Sequence, residues 1–178
     1  RALVDAASLD PAGLRRAGEF TSRVMELFHP GDERRLGYAM AYAKRRDDVR
    51  FRPGEVTLWS GASGSGKSQL LSDCTVDWIA QGSRICMASL EMAPAQTLRR
   101  MVKQAARSGD PSPALITAAM TWLDGGLWLF DLVGKTSVDS LIEIFDYARA
   151  RYGCDQFVLD SLMRLGLATD DYNAQERT

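Results

Sequence analysis

The chain has 178 residues, enough for one domain with an extension, and 46% of them are apolar, which is ample for a packed core and too many for global disorder. A net charge of −1 excludes a polycation built to coat nucleic acid, and no apolar run approaches the roughly 18 residues that a membrane-spanning helix needs. Cys74, Cys86 and Cys154 are odd in number and widely spaced, which fits neither a disulfide framework nor a zinc site and leaves buried free thiols in a reducing compartment. Arg1 in first place, a polar tail from Asp170 to Thr178 and the lack of a charged-then-apolar leader together suggest a cytoplasmic piece of a longer protein.

In chain order, Asp10-Pro11 reads as a cap and first turn. Phe20, Val24, Leu27 and Phe28 then mark one apolar stripe at helical spacing, weakened at Gly18 and stopped by His29-Pro30-Gly31. His29, the one histidine, is expected at the surface of that helix end rather than in a reaction. A charged segment follows, with a basic cluster at Lys44, Arg45, Arg46, Arg50 and Arg52 broken by Asp47 and Asp48, and Arg52-Pro53-Gly54 makes a turn. These features divide the chain into a linker helix and connecting segment, 1–52, and a core, 53–178.

From there short β-rich runs alternate with helical patterns. Val56 to Ser60 is a strand candidate, then a glycine-rich turn, then a helix from Lys67 to Ala80 with Leu70, Leu71, Cys74 and Ile79 on its apolar face. Arg84 to Ser89 is a second strand, and Pro94 opens a helix that Gly109 and Pro111 end. That helix carries a second basic cluster, Arg99, Arg100, Lys103 and Arg107, read like the first as a solvated or intersubunit face. Ser112-Pro113 starts a further helix through Leu115, Ala119, Trp122 and Leu123, stopped by Gly125-Gly126. Leu127 to Asp131 is the third strand. Ser137 caps a helix with Val138, Leu141, Phe145 and Ala148 inward, ending at Gly153, and Gln156 to Asp160 is the fourth strand. Strand–helix–strand repetition predicts an α/β fold with a mostly parallel sheet flanked by helices, in which ligands collect beyond the carboxyl ends of the strands.

The chemistry is therefore sought at those ends. Gly61-Ala62-Ser63-Gly64-Ser65-Gly66-Lys67-Ser68 has the Walker A spacing, between a strand candidate and a helix. Ser63, Gly64, Ser65, Gly66, Lys67 and Ser68 are the expected nucleotide-binding residues. Glycines let the main chain curl into a nest of N–H donors around phosphate, and the following helix turns its positive end toward the same anion. Lys67 reaches the outer phosphates, and the Ser68 hydroxyl takes one position on Mg²⁺. Phe157-Val158-Leu159-Asp160-Ser161 reads as Walker B, with Asp160 holding the metal through a water. Hydrolysis also needs a group to orient and deprotonate water. Ser161 stands where many P-loop ATPases have Glu, so Glu91, at the end of the second strand, is the candidate base beside Lys67. Asp131 ends the third strand and is expected to be structural.

Ser89-Leu90-Glu91-Met92 with Gln96 and Arg100 resembles the "SLEM" segment of DnaB-type hexameric replicative helicases. The run from Arg52 to Gly61 is similar to the lead-in to their RecA-like ATPase core. Asp160-Ser161-Leu162-Met163 and then Asp170-Asp171-Tyr172-Asn173 resemble the Walker B region of phage primase–helicases and Twinkle-like proteins. The resemblance implies a RecA-like P-loop motor that uses Mg²⁺ and ATP (or another NTP or dNTP), assembles as a hexameric ring around single-stranded DNA, and takes Glu91 as general base. It implies that 11–28 is a linker helix docking on a neighbour, whereas the stripe read from its residues alone equally fits folding back onto its own domain. In that family the γ-phosphate sensor, the DNA loops and the arginine finger lie beyond Walker B, so this chain alone is expected to bind nucleotide and turn it over slowly, an in-trans arginine being worth ~10³–10⁵ in rate. A RecA-like recombinase, another P-loop enzyme such as a small-molecule kinase, and a non-enzymatic assembly or loader module are the competing readings; the kinase lacks an arginine-rich lid after Asp160.

Overall fold

A computed structural model describes residues 15–29, 37–42, 44, 46 and 48–165. The start of the expected linker helix at 11–14, the Pro30-Gly31 stop, Arg45, Asp47 and the 170–173 segment lie outside the described residues. The chain divides into two compact units, Arg1–Gly37 and Tyr38–Thr178.

In the first unit a 3₁₀ turn at Ala17–Phe20 leads into helix α1, Thr21–Phe28. Thr21 Oγ1 donates to Gly18 O at 2.7 Å, which ties the two together. The apolar stripe is present at helical spacing, and it is unburied: Leu27 and Phe28 are 78% and 77% exposed. His29 closes the helix at the surface, as expected.

The second unit opens with an antiparallel pair, β1 (Tyr38–Ala39) and β2 (Arg50–Phe51). It is pinned to helix α2 (Lys67–Ala80), where Trp78 Nε1 donates to Ala39 O and Phe51 packs edge-on against the Trp78 ring. The other elements are β3 (Ile85–Ser89), α3 (Pro94–Ala106), α4 (Pro113–Asp124), β4 (Leu127–Leu129), α5 (Val138–Tyr152) and β5 (Gln156–Asp160). β3 is the middle of a three-stranded parallel sheet ordered β4-β3-β5, in register from Ile85↔Gln156 to Ser89↔Asp160. The chain is thus α/β with a small parallel sheet flanked by helices.

Alternation along β3 divides the core. Ile85 and Met87 face α2, α3 and α4 through Cys74, Trp78, Met101, Val102 and Leu123. Cys86 and Ala88 face the other way, onto α5 through Ala148 and Leu141. Because both faces of β3 are covered, all five of its residues are buried, which is why Ile85 to Ala88 is a continuous apolar run rather than an alternating one. The caps are where the sequence puts them: the Ser112 side chain accepts from Leu115 N, and Ser137 accepts from Ser140 N. Gly153 ends α5 in the left-handed conformation at φ 69°, which a residue bearing Cβ resists.

Three expectations need correction. Val56 to Ser60 is not a strand, and Val56 and Leu58 are 97% and 72% exposed. A strand exists only against a ladder partner, and this segment instead follows the hairpin, held by Trp59 stacked on Phe51 at 6.0 Å. The expected third strand stops at Leu129, before Phe130 and Asp131. The helix expected to run to Gly109 stops earlier, α3 ending at Ala106 with Arg107 as a left-handed cap. The apolar face expected of α2 packs on the core, Cys74 and Ile79 buried and Leu70 and Leu71 partly so, with Trp78 buried beside them. The three cysteines are buried and free, and desolvation pushes the Cys74 and Cys86 thiols up to about 11, so both stay protonated and unreactive at neutral pH.

Candidate functional site

The candidate residues lie in two groups, each held by different elements. The first is the loop Gly61 to Gly66 with the opening turn of α2. Ser65 N donates to Ala62 O at 3.2 Å, and Leu70 N donates to Gly66 O at 2.8 Å as the first helical bond. Gly64 and Gly66 sit at φ 76° and 89°, and a Cβ at either would meet nothing within 4 Å, so these two are glycine for the backbone path, whereas a Cβ at Gly61 would meet Ser65 Oγ at 3.0 Å. Lys67 is half-buried and folds back over the loop, its Nζ donating to Gly61 O at 2.7 Å and Ala62 O at 2.9 Å. Ser68 is half-buried in the same turn. The N–H groups of this first turn have no intrahelical acceptor, as at any helix start.

The second group sits at the carboxyl ends of β3 and β5. Leu90 is fully buried, and its N–H continues the ladder to Asp160 O at 2.7 Å while its carbonyl accepts from Gly134 N at 2.9 Å. Behind it Thr97 Oγ1 donates to Ser89 Oγ at 3.2 Å, and Arg100 reaches the Met92 sulfur at 3.0 Å. The turn carrying Glu91 is therefore fixed on both sides, although Glu91 itself is exposed. Ser161 Oγ donates to Glu91 Oε1 at 2.5 Å, so the residue after Asp160 reaches across the strand ends to the candidate base. The Asp160–Ser161 peptide is cis. Ser161 was expected only as a departure from Glu; its contact with Glu91 arises from the pairing of β5 with β3, which the local sequence does not specify.

Glu91, Asp160 and Ser161 thus come together, as do Ser63, Gly64, Ser65, Gly66, Lys67 and Ser68. Among the described residues no hydrogen bond or ion pair joins Lys67 or Ser68 to either carboxylate. Asp131 is exposed beyond β4 and joins neither group. The two groups are linked through helices: Gln104 of α3 donates to Gln69 O, in the first turn of α2, at 3.1 Å.

Donor chemistry decides what such a site can hold. Phosphate needs N–H donors, a cation and room for close backbone approach, and the open glycine loop with Lys67 supplies them. Magnesium takes few protein oxygens and keeps waters, and the Ser68 hydroxyl and the Asp160 carboxylate are oxygens of that type. No three His, Cys, Asp or Glu side chains gather among the described residues, which leaves no all-protein cage of the zinc or calcium kind there. The residues fit a phosphate ligand with magnesium. No family model matches the chain.

Proposed function

We propose that this chain is the nucleotide-binding part of an ATP-dependent DNA helicase motor, of the phage primase–helicase type, which hydrolyses NTP to move on single-stranded DNA. The observation that carries the reading is the parallel β3–β5 pairing. In register Ser89↔Asp160, it sets Glu91 and Asp160 at adjacent strand ends, on the sheet that follows the glycine loop and α2. Ligands of open parallel sheets bind beyond such ends.

In this reading Lys67 exchanges the Gly61 and Ala62 carbonyls for phosphate oxygens, and the loop N–H groups from Ser63 to Ser68 hold the same charge. Ser68 and Asp160 hold Mg²⁺, which when bound neutralises charge on the phosphates. Glu91 accepts the proton of the attacking water, and the Ser161 hydroxyl keeps its carboxylate in place. The exposed stripe on α1 supports a linker helix that docks on a neighbour in a ring, since Leu27 and Phe28 lack cover within their own unit.

Two substitutions test this. Lys67→Ala is expected to weaken Mg-ATP binding about a hundred-fold, the scale of lost charge-assisted contacts, as read by calorimetry. In a full-length protein that includes the DNA loops and the arginine finger, Glu91→Gln is expected to keep binding while lowering DNA-stimulated turnover by about 10²–10⁴. Normal turnover by the Glu91 variant removes that residue from the mechanism, and unchanged binding by the Lys67 variant removes the nucleotide site.

A further inference from the structure

Along α3 the sequence holds no acid between Glu91 and Asp110, while Arg99, Arg100, Lys103 and Arg107 bring four cations. All four line a groove of about 640 Å³ that runs from Met92 to Gly109, and no described Asp or Glu lines it with them. None of the four forms an ion pair with a described residue. Arg100 leans instead on the Met92 sulfur at 3.0 Å, a weak acceptor. The α2 acids Asp73 and Asp77 border a separate hollow, which Arg107 also reaches, and Asp77 is already paired with Arg46.

Like charges four residues apart repel along a helix, so a solvated face ordinarily mixes signs. The helix dipole favours Lys103 in the last turn and Arg107 at the cap, but it does nothing for Arg99 and Arg100 in mid-helix. A row of cations kept without counter-charges in a concave surface fits an anionic occupant. Three features narrow its class. Arg99, Lys103 and Arg107 recur every four residues, in steps of about 6 Å along the helix axis. An extended peptide presents alternate side chains at nearly the same spacing, about 6.6 Å. The exposed Gln69 and Gln96 also line the groove, and their amide oxygens suit main-chain N–H donors, which a peptide has and a phosphodiester backbone lacks. No described aromatic ring lines it, whereas single-stranded nucleic acid is ordinarily held by aromatic stacking.

We infer that the groove along α3 docks an extended acidic segment of a partner protein, with carboxylates at alternate residues meeting Arg99, Lys103 and Arg107. Arginine forks take carboxylates two hydrogen bonds at a time, and Met92 with the arginine stems gives the segment's methylenes apolar contact. The inference does not rest on the nucleotide reading, and Lys67→Ala is expected to bind the segment like the parent.

Fluorescence anisotropy tests it, without nucleotide, using a labelled synthetic peptide that alternates aspartate with alanine. The parent chain is expected to bind the peptide at low salt and to release it as salt is added. Arg99→Glu with Lys103→Glu should weaken binding by about ten-fold or more, because it sets like charges against like. Arg149→Glu with Arg151→Glu makes the same change of charge at exposed positions of α5 and should bind like the parent. A peptide of the same composition with its aspartates in one block should bind more weakly than the alternating one. Circular dichroism should show the parent fold in each variant; if reversing Arg99 and Lys103 unfolds the chain, Arg99→Gln with Lys103→Gln carries the same expectation of weakened binding. No binding at low salt, an equal loss in the α5 variant, or equal binding of the blocked peptide each overturns the inference. A single-stranded oligonucleotide that binds the parent more tightly than the peptide does, with binding lost on reversing Arg99 and Lys103, overturns it in favour of a phosphate-binding groove.

Discussion

The two groups of candidate residues are built from similar sequence and held in opposite ways. Ile85–Ser89 and Gln156–Asp160 form a paired ladder that continues through Leu90 N to Asp160 O. Val56 to Ser60 has the same apolar, β-branched and aromatic character, yet it lies in the open with Val56 97% exposed. The carboxylate half is thus fixed from beneath by the core. The loop half is anchored from its far side, by α2, and on its near side through Trp59 on Phe51. In the proposed reading, the acid–base side of the site is stiff and the phosphate side compliant. Low local cover is where backbone adjustment costs least.

The contrast can be broken at both ends. Leu90→Ala, under the ladder, is expected to cost about 2–5 kcal/mol of unfolding free energy by denaturant titration, and to loosen Glu91 with it. A cost below 1 kcal/mol would mean that the strand ends are not core-supported. Gly66→Ala, at φ 89°, is expected to cost about 1–2 kcal/mol from left-handed strain and to weaken nucleotide binding, although a Cβ there has open space. Full stability in that variant would show that the loop takes another path. Val56→Ser is expected to change stability by less than about 0.5 kcal/mol, as exposed positions do. A loss well above that would show the segment packed, and the comparison would fail.

Much of the fold was legible in the residues. α2 and β5 have the bounds that the patterns predicted, and α4 and α5 start at their serine caps, because apolar periodicity and capping are local signals. The grouping of Glu91 with Asp160 followed from strand–helix alternation, which puts strand ends on one side of a parallel sheet. Ser161 as the partner of Glu91 was not legible, since that contact depends on which strand neighbours β3. Trp78 was missed as an anchor for a related reason: its burial is decided by the hairpin that crosses it, through Ala39 and Phe51.

The sequence by itself determined where α2, α4 and α5 begin and end, and that strands and helices alternate. Tertiary structure alone decided that Val56 to Ser60 stays outside the sheet, that β3 takes the centre with both faces covered, and that α3 and α5 stand on opposite sides of it. Helical bonds close within four residues and are written in the local chain. A strand's bonds, and the side on which a helix packs, are settled by partners distant in sequence.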